Sequence, residues 1–88
     1  DDKLFRQRGA SYRGAGNYSL ALADYNKSLE LNPTALDAYI GRAQVYDAMG
    51  ERDKALKEFE AGIAIDDQYL LLFWERARMA DRWGEKQM

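Results

Sequence analysis

The stretch Gly16–Pro33, GNYSLALADYNKSLELNP, recurs 34 residues later as Gly50–Asp67, GERDKALKEFEAGIAIDD. In both copies, apolar or small residues follow the first alanine at one, four, seven and eight positions, which is typical of one face of an amphipathic helix. In the second copy these residues are Ala55, Leu56, Phe59, Gly62 and Ile63. The chain of 88 residues therefore writes one helix twice, and this internal repeat is the main evidence for its fold.

The same shift of 34 residues aligns positions on both sides of this stretch. Gly16 falls on Gly50 and Gly84, and Tyr12 falls on Tyr46. Strand-like alternation is not sustained anywhere, so each unit is predicted to be two helices of about twelve to fourteen residues. The other aligned positions are Phe5 with Tyr39 and Phe73, Arg8 with Arg42 and Arg76, Gly9 with Ala43 and Ala77, Ala21 with Ala55, and Tyr25 with Phe59.

Glycine and proline mark where the predicted helices end. Gly16 and Gly50 stand at the break between the two helices of a unit, where the chain needs a left-handed or tight conformation. The Asn-Pro pair at 32–33 ends the second helix, because proline disfavours helix for the residue before it. Thr34 with Asp37 is predicted to form a capping pair that opens the next helix. Five helices result, in units that cover about 2–35, 36–69 and 70–84.

Three copies of one residue pattern thus run through the chain. The first copy reads Phe5-x2-Arg8-Gly9-x2-Tyr12, then Ala21-x3-Tyr25, then Pro33. The second reads Tyr39-x2-Arg42-Ala43-x2-Tyr46 and Ala55-x3-Phe59, with Asp67 in place of proline, and the third keeps Phe73-x2-Arg76-Ala77 but has Ala80 for the tyrosine. This pattern resembles the tetratricopeptide repeat. The resemblance implies an all-α fold, a right-handed superhelical stack of antiparallel helix pairs with about two and a half repeats, in a single domain over residues 1–88.

An arginine column departs from the leucine that this family usually has at the same position. Arg8 and Arg42 each lie eight residues before a turn glycine, and Asp24 and Glu58 lie eight residues after it. In an antiparallel hairpin, positions equally far from the turn lie side by side. The sequence therefore predicts the ion pairs Arg8–Asp24 and Arg42–Glu58 within the repeats.

The third repeat has a first helix and no second. By the same spacing, the partner of Arg76 would fall four residues beyond Met88. The small residues Ala77 and Ala80 fit a terminal capping helix. Phe73, which would face the missing helix, favours instead a fragment of a longer array or an assembly through this surface.

The resemblance also implies that the first helix of each pair lines a concave groove in which partners bind. The groove is expected to be basic at its N-terminal end, acidic in the middle and apolar at the far end. Trp74 is its main expected anchor, because Trp is enriched in interface hot spots; the alternative is that these side chains are only solvated helix faces. The groove residues expected are Lys3, Arg6, Ala10 and Arg13, then Asp37, Ile40, Gly41, Gln44 and Asp47, and finally Leu71, Trp74, Glu75, Arg78 and Asp81.

One subset of the family grips the acidic C-terminal tails of chaperones with a two-carboxylate clamp of Lys, Asn and Arg. The matching positions in this chain keep a suitable charge only at Arg6, and both asparagines are absent. The sequence therefore predicts that this clamp is missing. The five matching positions are Arg6, Ala10, Gly41, Leu71 and Glu75.

Composition argues against catalysis and against nucleic acid as a partner. The chain has no Cys and no His, so it lacks the commonest general base and the commonest ligands of transition metals. The net charge is −2 and no basic stripe is dense, which disfavours nucleic acid. The most apolar run, 70–74, is far too short to span a membrane and begins a buried helix or forms a docking surface. We therefore expect no enzyme, no cofactor and no metal.

Two functions from different classes remain open at this stage. The first is a protein–protein interaction module that binds a peptide or helix of a partner protein in the groove. The second is a structural segment that forms homo-oligomers through the open third helix, since repeat arrays usually need three or more units. Cysteine usage does not indicate a compartment, so a cytoplasmic location is only the default.

Overall fold

The computed structural model describes residues 1–87, of which 85–87 are described by their backbone only. Five α-helices occupy this range, which confirms the all-α prediction. The first four are 13 or 14 residues long, as the spacing of the repeat predicted. The helices are α1 (Asp2–Gly14), α2 (Tyr18–Leu31), α3 (Leu36–Ala48), α4 (Arg52–Ile65) and α5 (Leu70–Gln87).

The turns inside the first two repeats depend on glycine. Gly16 has φ +82° and Gly50 has φ +80°, in the left-handed region that other residues rarely adopt. Beyond each glycine the chain closes on the preceding helix: the Asn17 N–H donates to the Tyr12 carbonyl, and the Glu51 N–H donates to the Tyr46 carbonyl, both at 2.8 Å. This is the bond pattern of a Schellman motif, and it confirms the predicted breaks.

The aligned glycine of the third repeat behaves differently. Gly84 lies inside α5, which continues to Gln87 instead of ending near residue 84. The residues after Gly84 are Glu, Lys and Gln, which are strong helix formers. A glycine at this position therefore permits a reversal of the chain but does not cause one.

The loop between the first two repeats is organised by Asn32. Its backbone is extended, with φ −144°, so α2 ends before Pro33 as predicted. The Asn32 Oδ1 accepts hydrogen bonds from the Thr34 N–H at 3.2 Å and from the Thr34 hydroxyl at 3.0 Å. The predicted capping pair of Thr34 with Asp37 is therefore wrong: Ala35 is the N-cap of α3, and no side chain caps it.

Large aromatic side chains fill the space between helices at positions where small residues let the helices approach. Tyr25 on α2 is 3% exposed, and its ring lies against Gly9 of α1 and Gly41 of α3. Phe59 on α4 is fully buried, in a cluster with Ala43 and Leu72 that joins α3, α4 and α5. The repeats therefore share one continuous interior, in which each helix pair supplies a wall for the next.

Both predicted arginine–carboxylate pairs are confirmed. Arg8 donates from Nε and Nη2 to the two carboxylate oxygens of Asp24, each at 2.8 Å. Arg42 donates from Nε and Nη2 to one oxygen of Glu58, at 2.9 and 2.7 Å, and from Nη1 to Asn26 at 2.8 Å. The hydrogen bonds and the charge of Asp24 raise the pKa of Arg8 above its ordinary value. These pairs hold the two helices of each complete repeat together at mid-length.

The described helices include none that is both long enough and apolar enough to cross a bilayer.

Candidate partner-binding groove

The first helices of the three repeats, α1, α3 and α5, line one side of the molecule. Two adjoining clefts lie there, of about 230 and 510 Å³, and both are bordered by Arg13 and Gln44. The smaller cleft is lined by Arg6, Gln7, Ala10, Arg13, Tyr25, Asp37, Gly41 and Gln44. The larger is lined by Arg13, Gly14, Gln44, Asp47, Ala48, Glu75, Arg78 and Arg82. We call this continuous depression the groove.

Asp37 connects the three repeats at the N-terminal end of the groove. Arg6 of α1 donates from Nη1 to one Asp37 oxygen at 3.1 Å, and the Tyr69 hydroxyl donates to the other at 2.6 Å. The hydrogen bond to Asp37, with some burial, raises the pKa of Tyr69 above 10. Asp37 therefore has little remaining capacity to receive a cation from a partner.

The middle of the groove is closed in the same way between α3 and α5. Gln44 donates to Glu75 at 3.2 Å, and Arg78 donates to the other oxygen of Glu75 at the same distance. Asp47 accepts from Arg82 at 2.8 Å and from the Trp83 indole N–H at 2.6 Å. The acidic middle expected from sequence is thus neutralised by donors of the protein itself.

These contacts follow a spacing that the repeat period hides. Arg6 with Asp37, and Gln44 with Glu75, are each 31 residues apart. A separation of 31 is one helical turn less than the period of 34, as expected when successive first helices pack side by side with a shift of one turn. A search for complementary side chains at this spacing would have found both pairs.

The guanidinium groups keep more free donors than the carboxylates keep free acceptors. Arg13 forms no ion pair among residues 1–84, and its Nε is buried without a hydrogen-bond partner. The side chains of Arg78 and Arg82 are 62% and 57% exposed beyond their single carboxylate contacts. The groove therefore presents mainly hydrogen-bond donors and positive charge.

The structure brings together six of the ten main predicted groove residues. Arg6, Arg13, Asp37, Gln44, Asp47 and Arg78 border the two clefts. Lys3, Leu71 and Trp74 lie exposed outside the clefts, with Leu71 39% and Trp74 63% exposed.

Ile40 contradicts its prediction. It is only 6% exposed and belongs to the buried cluster around Phe59, so its side chain faces away from any partner. Its repeat counterparts are Arg6 and Trp74, and the position faces the first helix of the following repeat. α3 has α5 beyond it, which covers Ile40, whereas the described residues place no further helix over Trp74.

Four residues that border or support the groove were not predicted. Gln7 and Arg82 line the clefts, and Tyr69 and Trp83 hold the carboxylates of Asp37 and Asp47. Tyr69 lies just before α5, and Trp83 lies in its last part, so neither has an aligned partner in the repeat columns. No group of three or more metal-ligating side chains occurs within the described part of the chain.

Helix pairs that repeat every 34 residues and leave a concave side of first helices define a helical repeat protein that offers a surface rather than a catalytic site. The sequence profile described as "Tetratricopeptide repeat" matches residues 12–73. The chain belongs to the tetratricopeptide repeat family.

Several curated proteins are similar to this chain over most of its length. A tetratricopeptide repeat and J domain-containing co-chaperone of Cryptococcus neoformans is 33% identical over 70 residues, which are 80% of this chain and 13% of that protein. The Hsp70-Hsp90 organizing protein of Triticum aestivum is 32% identical over 66 residues, 75% of this chain and 11% of that protein. A small glutamine-rich tetratricopeptide repeat-containing protein of Saccharomyces cerevisiae is 34% identical over 53 residues, 60% of this chain and 15% of that protein. The chain thus spans less than a fifth of each of these relatives.

Proposed function

We propose that this chain is a protein–protein interaction module that binds a peptide or a helix of a partner protein in the groove. The family is generally one of interaction modules, and the observation that carries the finer proposal is the groove itself. It is bordered by first helices of all three repeats and is about 510 Å³ in its larger cleft. It has the size of an ordinary binding cleft and no constellation for catalysis.

The free groups of the groove suggest the chemistry of the ligand. Arg13, Arg78 and Arg82 offer donors, while Asp37, Asp47 and Glu75 are already satisfied by the protein. A ligand that supplies acceptors, such as carboxylates or the carbonyls of an extended backbone, fits this distribution.

An apolar anchor lies beside these donors. Leu71, Trp74 and Arg78 are three and four residues apart and therefore share one side of α5. Trp74 combines high exposure with a large contact area, which is the usual character of an interface hot spot. We expect a ligand with an apolar side chain on Trp74 and with acceptors that reach toward Arg78.

The names of two relatives connect those proteins with chaperones, but the residues of this chain argue against a chaperone-tail ligand. Gly41 takes the place of a clamp asparagine, and a Cβ on Gly41 would overlap the ring of Tyr25. Glu75 places a carboxylate where the clamp needs a cation. We therefore expect acidic chaperone-tail peptides not to bind, either before or after the change Arg6→Ala; micromolar binding would contradict this.

Self-assembly through α5 is the second candidate function. The exposure of Ala77 and Ala80, whose counterpart Ala43 is buried, favours some contact at this side. A two-fold contact between two copies of α5, however, places both Arg76 side chains on the same side of the seam. Like charges at that distance oppose the contact, so the groove proposal is preferred.

The test of groove binding is affinity for peptides selected on the wild-type protein from a random phage-displayed library. The variants Trp74→Ala and Arg13→Glu should weaken binding of these peptides by tenfold or more, since hot-spot losses exceed about 2 kcal/mol. Leu20→Ala, which shortens an exposed apolar side chain on α2, is the matched control and should leave affinity unchanged. Equal affinity in all three variants would refute the proposal.

A further inference from the structure

The side of α5 that faces away from the groove lacks the cover that the same side of α1 and α3 has. In the first two repeats the small residues Gly9 and Ala43 are buried under the second helix of the pair. Their counterpart Ala77 is exposed, and so is Ala80. We call the surface formed by Leu70, Phe73, Arg76, Ala77 and Ala80 the open side of α5.

Arg76 repeats the posture of the two paired arginines without their carboxylate. The guanidinium carbons of Arg8, Arg42 and Arg76 lie 5.7, 5.4 and 5.3 Å from the ring centres of the aromatic residues three positions earlier. Arg8 and Arg42 also hold an acid of the covering helix. No carboxylate of residues 1–84 lies within 4.0 Å of Arg76. The guanidinium is thus preformed for an acid that this part of the chain does not supply.

We propose that the open side of α5 binds an amphipathic helix of a partner protein, antiparallel to α5, with a carboxylate opposite Arg76. The covering helices α2 and α4 give the template. Each carries an alanine, then an acid three residues later and an aromatic residue directly after the acid: Ala21, Asp24 and Tyr25, or Ala55, Glu58 and Phe59. The surface is separate from the groove, so this proposal does not depend on groove binding.

One position of the partner helix differs from the template. Ala21 and Ala55 are buried in the clusters against which Tyr12 and Tyr46 pack. The third repeat has Ala80 where those tyrosines stand, so an alanine opposite it would leave a gap. The partner helix therefore carries a large apolar residue at this position, three residues before its acid.

Charge favours such a helix over a second copy of α5. A copy of α5 would bring another arginine to the seam, whereas the template brings the acid that Arg8 and Arg42 already bind at 2.7 to 2.8 Å. Trp74 and Arg78 lie toward the groove, so a helix on the open side leaves them accessible.

A synthetic peptide of residues 50–67 with Ala55→Leu is the probe for this proposal. Its control is the same peptide with Glu58→Lys, which keeps the length and the apolar face but reverses the charge opposite Arg76. Both are titrated into ¹⁵N-labelled protein, and the amide shifts of residues 73–80 are followed. We expect the Glu58 peptide to bind about tenfold more tightly, and the order to reverse in the variant Arg76→Glu. Equal affinities in the wild-type protein would overturn the proposal.

A change of size gives a second test with an exposed residue. The wild-type protein should prefer the Ala55→Leu peptide to the unmodified one, and the variant Ala80→Tyr should prefer the unmodified peptide, because tyrosine fills the gap. The same order in both proteins would contradict the proposal. If Arg76→Glu fails to fold, as judged by its circular dichroism, this test decides.

Two further measurements separate the proposal from its alternatives. Arg13→Glu should leave peptide affinity unchanged, whereas loss of binding there would assign the peptide to the groove. A concentration-dependent dimer of the wild-type protein that Ala80→Arg abolishes would assign the open side to a second copy, and would overturn the proposal.

Discussion

The substitution Gly41→Ala tests whether Tyr25 really fills the space between α1 and α3. A Cβ built on Gly41 would overlap Cε1 and Cζ of Tyr25 and would lie 2.8 Å from its hydroxyl oxygen. Ordinary contacts begin at about 3.5 Å, so even the hydroxyl would have to move by about 0.7 Å. On the other side, a Cβ on Gly9 would already be 3.2 Å from three ring atoms. The ring is therefore held from both sides and has no free space into which to retreat.

The magnitude follows from two opposing effects. Overpacking a well-packed interior costs about 1–3 kcal/mol, while alanine gains about 1 kcal/mol over glycine within a helix. Because the overlap involves two ring atoms that cannot retreat, the cost lies near its upper end, and the net loss of stability is about 2 kcal/mol. This corresponds to a fall in Tm of roughly 8–16 °C for a domain of this size.

The assay is thermal and urea unfolding of Gly41→Ala beside the control Gly84→Ala. Gly84 also lies inside a helix, but a Cβ there meets nothing within 4 Å, so the control should be stabilised by about 0.5–1 kcal/mol. In a Tyr25→Leu background the cost of Gly41→Ala should shrink, because the smaller side chain leaves room for the methyl group. If Gly41→Ala is as stable as Gly84→Ala, the packing of Tyr25 is not as described.

Three further predictions follow from single side chains. Ser28 is fully buried and its hydroxyl has no partner among the described residues, so Ser28→Ala should raise the unfolding free energy by about 1 kcal/mol in urea; a loss would mean that the hydroxyl makes a useful bond. Asp24 is buried while Arg8 is largely exposed, so Arg8→Met, which strands the carboxylate, should destabilise more than Asp24→Asn, and the reverse order would contradict the burial of this pair. The pKa of Tyr69 is raised above 10 in the folded protein, so its contribution to stability is complete below pH 10 and is lost as pH rises further; Tyr69→Phe should flatten this loss, and an unchanged slope would disprove it.

The sequence predicted those features that depend on one repeat alone. The columns of small and aromatic residues identified the helix pairs, and equal distances from Gly16 and Gly50 identified the ion pairs of Arg8 and Arg42. Both follow from a hairpin whose turn is known, since its two helices must then lie in one register.

Features that depend on neighbouring repeats were harder to predict. Ile40 aligns with the groove residue Arg6 but is covered by α5, and alignment at 34 residues does not show which copy has a neighbour. Asp47 was assigned to an acidic groove because its partner Arg82 lies 35 residues away, outside the aligned columns. The Thr34 cap failed for a local reason, since Asn32 binds the hydroxyl first.

The account depends most on the claim that partners bind where the first helices meet. The direct measurement is the amide footprint of a library-selected peptide on ¹⁵N-labelled protein. Binding in the groove predicts the largest shifts at Arg13, Gln44 and Arg78, with residues of α2 and α4 unchanged. Shifts concentrated on the outer faces of α2 and α4, with these three amides still, would contradict it.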